Sequence, residues 1–149
     1  MKGGLLTPDK LERVKDLFAM LPRIIADEEI DELKPALEEF LSYGGNINYE
    51  NGILLLTAAR VGDLEITKLL LENGARVDVN TEEILIEAVY EGDLETLGLL
   101  LDTGVSTDLF DREFLDNKRI QEFVKARVQA NQAQKDDSEN PSSHALTQA

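Results

Sequence analysis

The sequence predicts an all-α solenoid in which similar helix-turn-helix units stack side by side. The phrase GDLEITKLLLENG at 62–74 returns as GDLETLGLLLDTG at 92–104, and alignment of 51–80 with 81–110 needs no gap and gives eleven identical positions. Within each copy the apolar residues recur at helical spacing and are interrupted by glycine. Because one helix pair of this size cannot bury its apolar side alone, neighbouring units must share a core.

Each of the two full repeats, 51–80 and 81–110, divides into a helix, a turn and a second helix. In the first copy Gly62 separates two short apolar faces, which consist of Leu54, Leu55, Ala58 and Ala59 before the turn and Leu64, Leu69, Leu70 and Leu71 after it. Gly74 and its equivalent Gly104 follow the second helix, where the chain needs a positive φ that a Cβ opposes. A short extended link is expected to lead to the next unit.

The segment AARVGDLEITKLLLENGARVD at 58–78 resembles an ankyrin repeat, whose consensus reads AAxxGxxExVxLLLxxGADxN. The second copy, AVYEGDLETLGLLLDTG at 88–104, follows the same pattern with more drift. The resemblance implies an ankyrin-like solenoid whose role is to bind another protein.

Two departures from the family pattern alter the expected shape. The period is 30 residues rather than about 33, and the TPLH opening of the first helix is missing. Asn51, Thr81 and Asp111 recur every thirty residues before a helical stretch, and we predict that they are N-caps, with simple turn residues as the alternative for Asn51 and Thr81. The hairpins between repeats should then be short and the contact surface flat.

Capping segments are predicted at both ends, so that the repeat domain spans 1–134. The N-terminal cap, 5–50, contains a helix that starts at Thr7-Pro8 and is expected to end at Pro22, and Pro35 is expected in the first turn of the next helix. The second half of a further repeat is recognisable near its end, without the first half. The C-terminal cap, 111–132, keeps Phe114 and Leu115 in repeat register and places Ile120, Phe123, Val124 and Val128 on one helix face. Residues 135–149 have the composition of a disordered tail.

Thirty acidic and fifteen basic residues give a formal charge of −15, which argues against direct binding of nucleic acid. The densest acidic stretch, 27–39, is interpreted either as a solvated helix face or as a docking surface for a basic partner. The sequence contains no cysteine, which favours a reducing compartment, and we expect a cytoplasmic protein. No apolar run indicates a membrane span or an export signal, and the sequence does not specify the oligomeric state.

No motif in the sequence indicates catalysis, a metal or a cofactor. The only histidine, His144, lies in the predicted tail, and no phosphate-binding glycine loop or calcium loop occurs. We therefore predict a protein that is not an enzyme and carries no cofactor. A site built from scattered carboxylates stays open as an alternative.

The resemblance implies that a partner docks on the concave face, which consists of the inter-repeat hairpins and the exposed positions of the first helices. Carried over position by position, this face comprises Arg60 and Val61 in the first repeat, Tyr90 and Glu91 in the second, and Tyr49, Glu50, Val79, Asn80 and Phe110 in the hairpins. The aromatic residues are the expected anchors, although Phe110 has the alternative of packing inward.

The favoured function is that of a small acidic adaptor or inhibitor that binds a basic protein. One alternative is a bacterial or viral effector delivered into a host cell, with the tail as its export signal. The other is an enzyme with a carboxylate-based site.

Overall fold

The computed structural model describes residues 7–91, 93–111 and 117–148, with side chains described at 7–91, 93–110 and 117–133. These residues form α-helices and short 3₁₀ turns and contain no strand, which confirms the predicted all-α class. The helices are α1 (Pro8–Ala26), α2 (Ile30–Ser42), α3 (Tyr49–Val61), α4 (Leu64–Glu72), α5 (Thr81–Glu91), α6 (Leu94–Leu101) and α7 (Lys118–Gln148).

The helices stack as the thirty-residue repeat predicts. First helices pack on first helices, α1 on α3 and α3 on α5, and among the second helices α4 packs on α6 and α6 on α7. The two copies are therefore neighbours in parallel register, and Arg60 of α3 reaches Glu87 of α5, twenty-seven positions later. The links between repeats are 3₁₀ turns at Val77–Val79 and Asp108–Asp111. They take the place of the extended links that the sequence predicts.

The shared core consists mainly of leucine and isoleucine side chains from every helix pair. In the repeats its fully buried members include Leu54, Leu55, Ile66, Leu70, Ile84, Leu85, Leu97 and Leu100. Asp63 and Asp93 begin the second helices as N-caps: Asp63 accepts a hydrogen bond from the Ile66 N–H at 3.0 Å, and Asp93 accepts one from the Glu95 N–H at 3.0 Å. Gly74 has φ +98° and Gly104 has φ +84°, as predicted for the helix ends.

Helix α1 starts where the sequence predicts but continues past the expected end. The Thr7 hydroxyl accepts a hydrogen bond from the Lys10 N–H at 3.3 Å, which makes Thr7 the N-cap. The prediction that Pro22 ends the helix is wrong, because α1 runs on to Ala26. Pro22 has no N–H to donate to the Phe18 carbonyl one turn earlier. The Tyr49 hydroxyl donates to this carbonyl instead, at 2.9 Å, and so replaces the missing bond.

Helix α2 also contains its proline in the interior. The expectation that Pro35 lies in the first turn is wrong, because α2 begins five residues earlier, at Ile30. This early start is explained by a buried face of Leu33, Ala36, Leu37 and Phe40, which packs α2 against α1. Pro35 itself is exposed, so its ring meets no neighbour in the core.

The predicted N-caps of the first helices are corrected by the structure. Glu50, Asn51 and Gly52 all have positive φ, so the chain makes a left-handed turn there and Asn51 does not cap the helix that follows. In the second copy the capping residue is Asn80, whose carbonyl accepts from the Ile84 N–H at 3.1 Å, and Thr81 is the first helical residue. The helix predicted directly after Asp111 falls on 112–116, outside the described residues, as do Phe114 and Leu115.

Helix α7 covers the last repeat. Ile120 and Val124 are buried, and Phe123 and Val128 pack partly buried against the core, as the sequence predicts. The backbone stays helical to Gln148, whereas a disordered tail was predicted for 135–149. Helix-forming alanine, glutamine, lysine and glutamate residues continue beyond the point where the apolar pattern stops, which is consistent with this extension. In the described part of the chain, no helix has the length and apolarity needed to cross a bilayer.

Candidate protein-binding surface

The exposed side of α3 and α5 presents a small, mostly acidic surface, which is named the first-helix surface here. Its members are Arg60, Glu83, Glu87, Tyr90 and Glu91. Residues 83, 87 and 90 lie on one stripe of α5 because they follow at intervals of four and three. Arg60 occupies the position in α3 that Tyr90 occupies in α5, thirty residues later. The repeat therefore places an arginine and a tyrosine at equivalent points of neighbouring helices.

Tyr90 is the most exposed large apolar side chain among the described residues. It is 76% exposed, compared with 45% for Leu11 and 37% for Phe18. A tyrosine ring can bury a large area on contact and retains a hydroxyl for hydrogen bonding. Tyr90 is therefore the clearest candidate for an anchor on this surface.

An ion pair joins the two helices beside Tyr90. The Arg60 Nε donates to Glu87 Oε2 at 3.1 Å, and the Arg60 side chain is 55% exposed. A pair this exposed contributes only about 0.2 to 1 kcal/mol to stability. After this pairing, Glu83 and Glu91 remain as excess negative charge, so the surface has the sign that attracts a basic partner.

Two of the predicted aromatic anchors are not free for a partner. Tyr49 packs against Phe18 and Phe40, with ring centroids 4.6 and 5.8 Å away, and its hydroxyl bonds to the Phe18 carbonyl. Burial, with a smaller contribution from the charge of Glu50, raises the pKa of Tyr49 to about 12. Phe110 is only 5% exposed and packs inward, which rules it out as an exposed anchor and agrees with the alternative that the sequence left open for it. Sequence spacing does not show which side of a turn faces the core, so it does not separate these two rings from an exposed ring such as that of Tyr90.

The other predicted residues divide between structural and exposed positions. Val79 is half-buried, and its Cγ2 would lie 2.8 Å from a Cβ at Gly52. Asn80 caps α5, and its Nδ2 donates to Glu83 Oε2 at 3.2 Å. Val61 is partly buried, and Glu50 is exposed in the left-handed turn. The structure thus brings Arg60, Tyr90 and Glu91 together and assigns packing or capping roles to several of the rest.

Glu83 and Glu87 belong to the surface but were missing from the sequence-based set. Their signal was available, since they precede Tyr90 by seven and three residues and so share its helical stripe. The family pattern carries over only the hairpins and the two positions after the Ala-Ala pair or its equivalent, and Glu83 and Glu87 belong to neither group. In the described part of the chain, no group of three or more histidine, cysteine, aspartate or glutamate residues is placed to hold a metal ion.

Comparison with known proteins agrees with this architecture. A family model described as ankyrin repeats (3 copies) matches residues 27–111, which is more than half of the chain. The match begins within the segment predicted to be the N-terminal cap, where α2 packs as the second helix of a pair. No curated protein and no solved structure matches the chain. Ankyrin repeats are generally protein–protein interaction modules. With this match over more than half of the chain and with first helices stacked in parallel register, the chain belongs to the ankyrin repeat family.

Proposed function

We propose that the protein is a non-catalytic adaptor or inhibitor that binds a basic protein through the first-helix surface, with Tyr90 as the anchor. The observation that carries this proposal is the 76% exposure of Tyr90 on a helix whose neighbouring exposed residues are acidic. An aromatic side chain surrounded by polar groups is the composition expected at the centre of an interface.

The charge of the whole chain supports a basic partner. A formal charge of −15 produces a negative field that speeds the approach of a positively charged protein at low salt. The absence of cysteine supports action inside a cell, where thiols stay reduced. Delivery into a host cell remains the second proposal for where the same surface acts.

Site-specific cross-linking tests the surface before the partner is known. The full chain with a benzophenone amino acid at position 90 is expressed in its native host, irradiated, and the adducts are identified by mass spectrometry. Lys68, exposed on α4, is the matched control position. We expect a basic protein to be trapped from position 90 and not from position 68. Equal trapping at the two positions, or an acidic adduct, would contradict the proposal.

With the trapped partner purified, Tyr90→Ala should weaken binding by about tenfold or more, as a central aromatic anchor does. The free energy of unfolding should change by less than about 0.5 kcal/mol because the ring is exposed. Leu11→Ala, an exposed apolar residue on α1, is the control and should leave the dissociation constant unchanged. If Tyr90→Ala instead lowers stability and leaves binding intact, Tyr90 is not the anchor.

A further inference from the structure

The helix pair α1–α2 forms an open groove, which shares no residue with the first-helix surface. The groove has a volume of about 530 Å³ and is lined by residues of both helices. From α1 it takes positions 13, 20 and 24, with position 27 directly after the helix, and from α2 positions 32, 35, 36 and 39. On each helix these positions follow at multiples of three and four residues and so form a single stripe. Two such parallel walls have the shape that accepts a third helix.

The floor of the groove is apolar. It consists of Met20, Ile24, Pro35 and Ala36, of which Ile24 and Ala36 are each 8% exposed and Pro35 is exposed. Methionine is unbranched and polarisable, so it adapts to different apolar partners. The floor therefore offers contact area to an apolar side chain, which a purely acidic surface would not.

The rim of the groove carries excess negative charge. Arg13 and Glu39 neutralise each other in a two-point ion pair, with Arg13 Nε 3.0 Å from Glu39 Oε2 and Nη2 2.9 Å from Oε1. Asp27, Asp31 and Glu32 remain against the single positive charge of Arg23. The rim therefore complements a ligand that carries several lysine or arginine side chains.

We infer that the α1–α2 groove docks a basic amphipathic helix of a partner protein. Its apolar stripe would cover Met20, Ile24 and Ala36, and its lysine or arginine side chains would meet Asp27, Asp31 and Glu32. The lining of α1 from residue 13 to residue 24 is about 16 Å long at 1.5 Å per residue, which accommodates roughly eleven residues of helix, and the Arg13–Glu39 ion pair joins the two walls at one end. Docking of an amphipathic helix in an apolar groove is a recurring mode of recognition. This site is additional to the first-helix surface, and the two proposals are tested independently.

A designed peptide tests the groove with the full-length chain. The probe is a fluorescein-labelled fifteen-residue helix with leucine on one stripe and lysine elsewhere. One control peptide replaces every lysine with glutamate, and the other replaces every leucine with serine. Fluorescence anisotropy should show binding of the leucine–lysine peptide, at least about tenfold weaker binding of the serine–lysine peptide, and none of the glutamate peptide. Equal affinity of the two lysine peptides would overturn the inference, because it would indicate attraction by charge alone.

Matched variants separate the groove from the general acidic field. Asp31→Asn with Glu32→Gln should weaken the leucine–lysine peptide about fivefold, whereas Glu65→Gln with Glu95→Gln, the same charge change on α4 and α6, should weaken it less than twofold. Met20→Lys should abolish binding, and Ala126→Lys on exposed α7 should not. Since the charge variants change only exposed side chains, they remain informative if Met20→Lys fails to fold.

Backbone amide shifts locate the bound peptide. When the peptide is added, the changes in amide chemical shift should be largest at Met20, Ile24 and Ala36. The variant Tyr90→Ala should bind the peptide with unchanged affinity. Shifts centred on Tyr90, or equal losses in the two charge variants, would overturn the groove while leaving the first-helix surface untouched. Self-association of the chain that Met20→Lys removes would assign the groove to a second copy and would also overturn the inference.

Discussion

The copies 51–80 and 81–110 repeat the same helix pair, but they have different neighbours. Leu70 and Leu100 are both fully buried, and Ala58 and Ala88 are both buried, so these identical positions supply the shared core. Asp63 and Asp93 are identical as well and cap the second helix of each copy. Lys68 is exposed on α4, whereas its equivalent Gly98 is buried beneath α7. The repeated residues therefore encode the unit, and the residues that vary adapt each unit to what packs beside it.

The polar links between units vary in the same way. The Asn48 side chain accepts from the Arg76 N–H at 2.8 Å and donates to the Gly74 carbonyl at 3.1 Å, which ties one turn to the next. One repeat later the equivalent residue is Asp78, which pairs with the Arg76 guanidinium at 2.9 and 2.7 Å. Because a carboxylate cannot donate to a carbonyl, Asp78 cannot make the bond that Asn48 makes to the carbonyl of the next turn. A cleft of about 450 Å³ lies between the turn at 75–78 and the turn at 103–106.

Truncation of the buried leucines should cause the greatest loss of stability, and it tests whether the core positions of the two copies are equivalent. Leu70→Ala and Leu100→Ala should each lower the free energy of unfolding by about 2 to 5 kcal/mol, because each side chain is fully buried and its removal leaves a cavity. Chemical denaturation followed by circular dichroism measures the free energy of unfolding of both variants. A loss below about 0.5 kcal/mol at either position would show that the two copies do not share one core.

Exchange of the residues at 68 and 98 tests the packing at the position where the two copies have different neighbours. Gly98→Lys should cost about 1 to 3 kcal/mol by overpacking, because a Cβ at this position would lie 2.9 Å from Arg127 Nη1 and 3.2 Å from Phe123 Cζ. Lys68→Gly should cost only about 1 kcal/mol, the helix propensity of glycine. Thermal unfolding of the two variants measures the difference, and equal losses would contradict the close packing of α7 on α6.

Exchange at 48 and 78 addresses the links between turns. Asn48→Asp should cost about 1 to 2 kcal/mol, since it removes the donor to the Gly74 carbonyl and places a negative charge beside it. Asp78→Asn should change stability by less than about 1 kcal/mol, because it loses an exposed ion pair with Arg76 and gains a donor. Urea unfolding at neutral pH compares the two variants. A larger loss for Asp78→Asn than for Asn48→Asp would reverse our interpretation of the turns.

The smallest expected effect depends on pH and involves positions 72 and 102. The Arg127 guanidinium bonds to Asp102 at 2.7 Å and lowers the pKa of that carboxyl below its usual value. Since the unfolded chain takes up this proton first, the stabilisation is present above the unfolded pKa of about 3.9 and is lost as pH falls through the lower folded pKa. The side chain is 36% exposed, so the contribution should be at most about 1 kcal/mol.

The measurement compares unfolding free energies of the unmodified chain and Asp102→Asn between pH 7 and pH 3. Their difference should be constant above about pH 5 and should shrink below pH 4. Glu72→Gln, the equivalent position in the first copy, is the control, because no described residue forms an ion pair with Glu72. A difference that grows as the solution is acidified would contradict the assigned ion pair.

Much of the fold could be predicted from the sequence because the repeat gives the length of each unit and the positions of its helices and turns. The period, the apolar spacing and the glycines at 74 and 104 all describe local structure that packing then preserves. The interior prolines could not be placed in this way. Pro22 is tolerated because Tyr49, twenty-seven residues later, donates to the freed carbonyl, and no local pattern reveals a donor from another helix.

The candidate site was predictable only in part. Arg60, Tyr90 and Glu91 were found by position in the repeat, and their exposure agrees with that placement. Tyr49 and Phe110 were also found by position, yet one is held in an aromatic cluster and the other is buried. Residues in turns are harder to predict because a small change in backbone angles moves a side chain from solvent to core, as the left-handed turn at Glu50 illustrates.

Periodicity and charge are properties of the linear chain, so the stack of helix pairs and the strongly negative surface can both be predicted from the sequence. Three features are visible only in the folded chain: the aromatic residues that remain exposed, the new donor to the carbonyl freed by Pro22, and the groove in which an apolar floor meets an acidic rim. Those features depend on contacts between residues that lie far apart in sequence, and the geometry of such contacts arises only when the units pack.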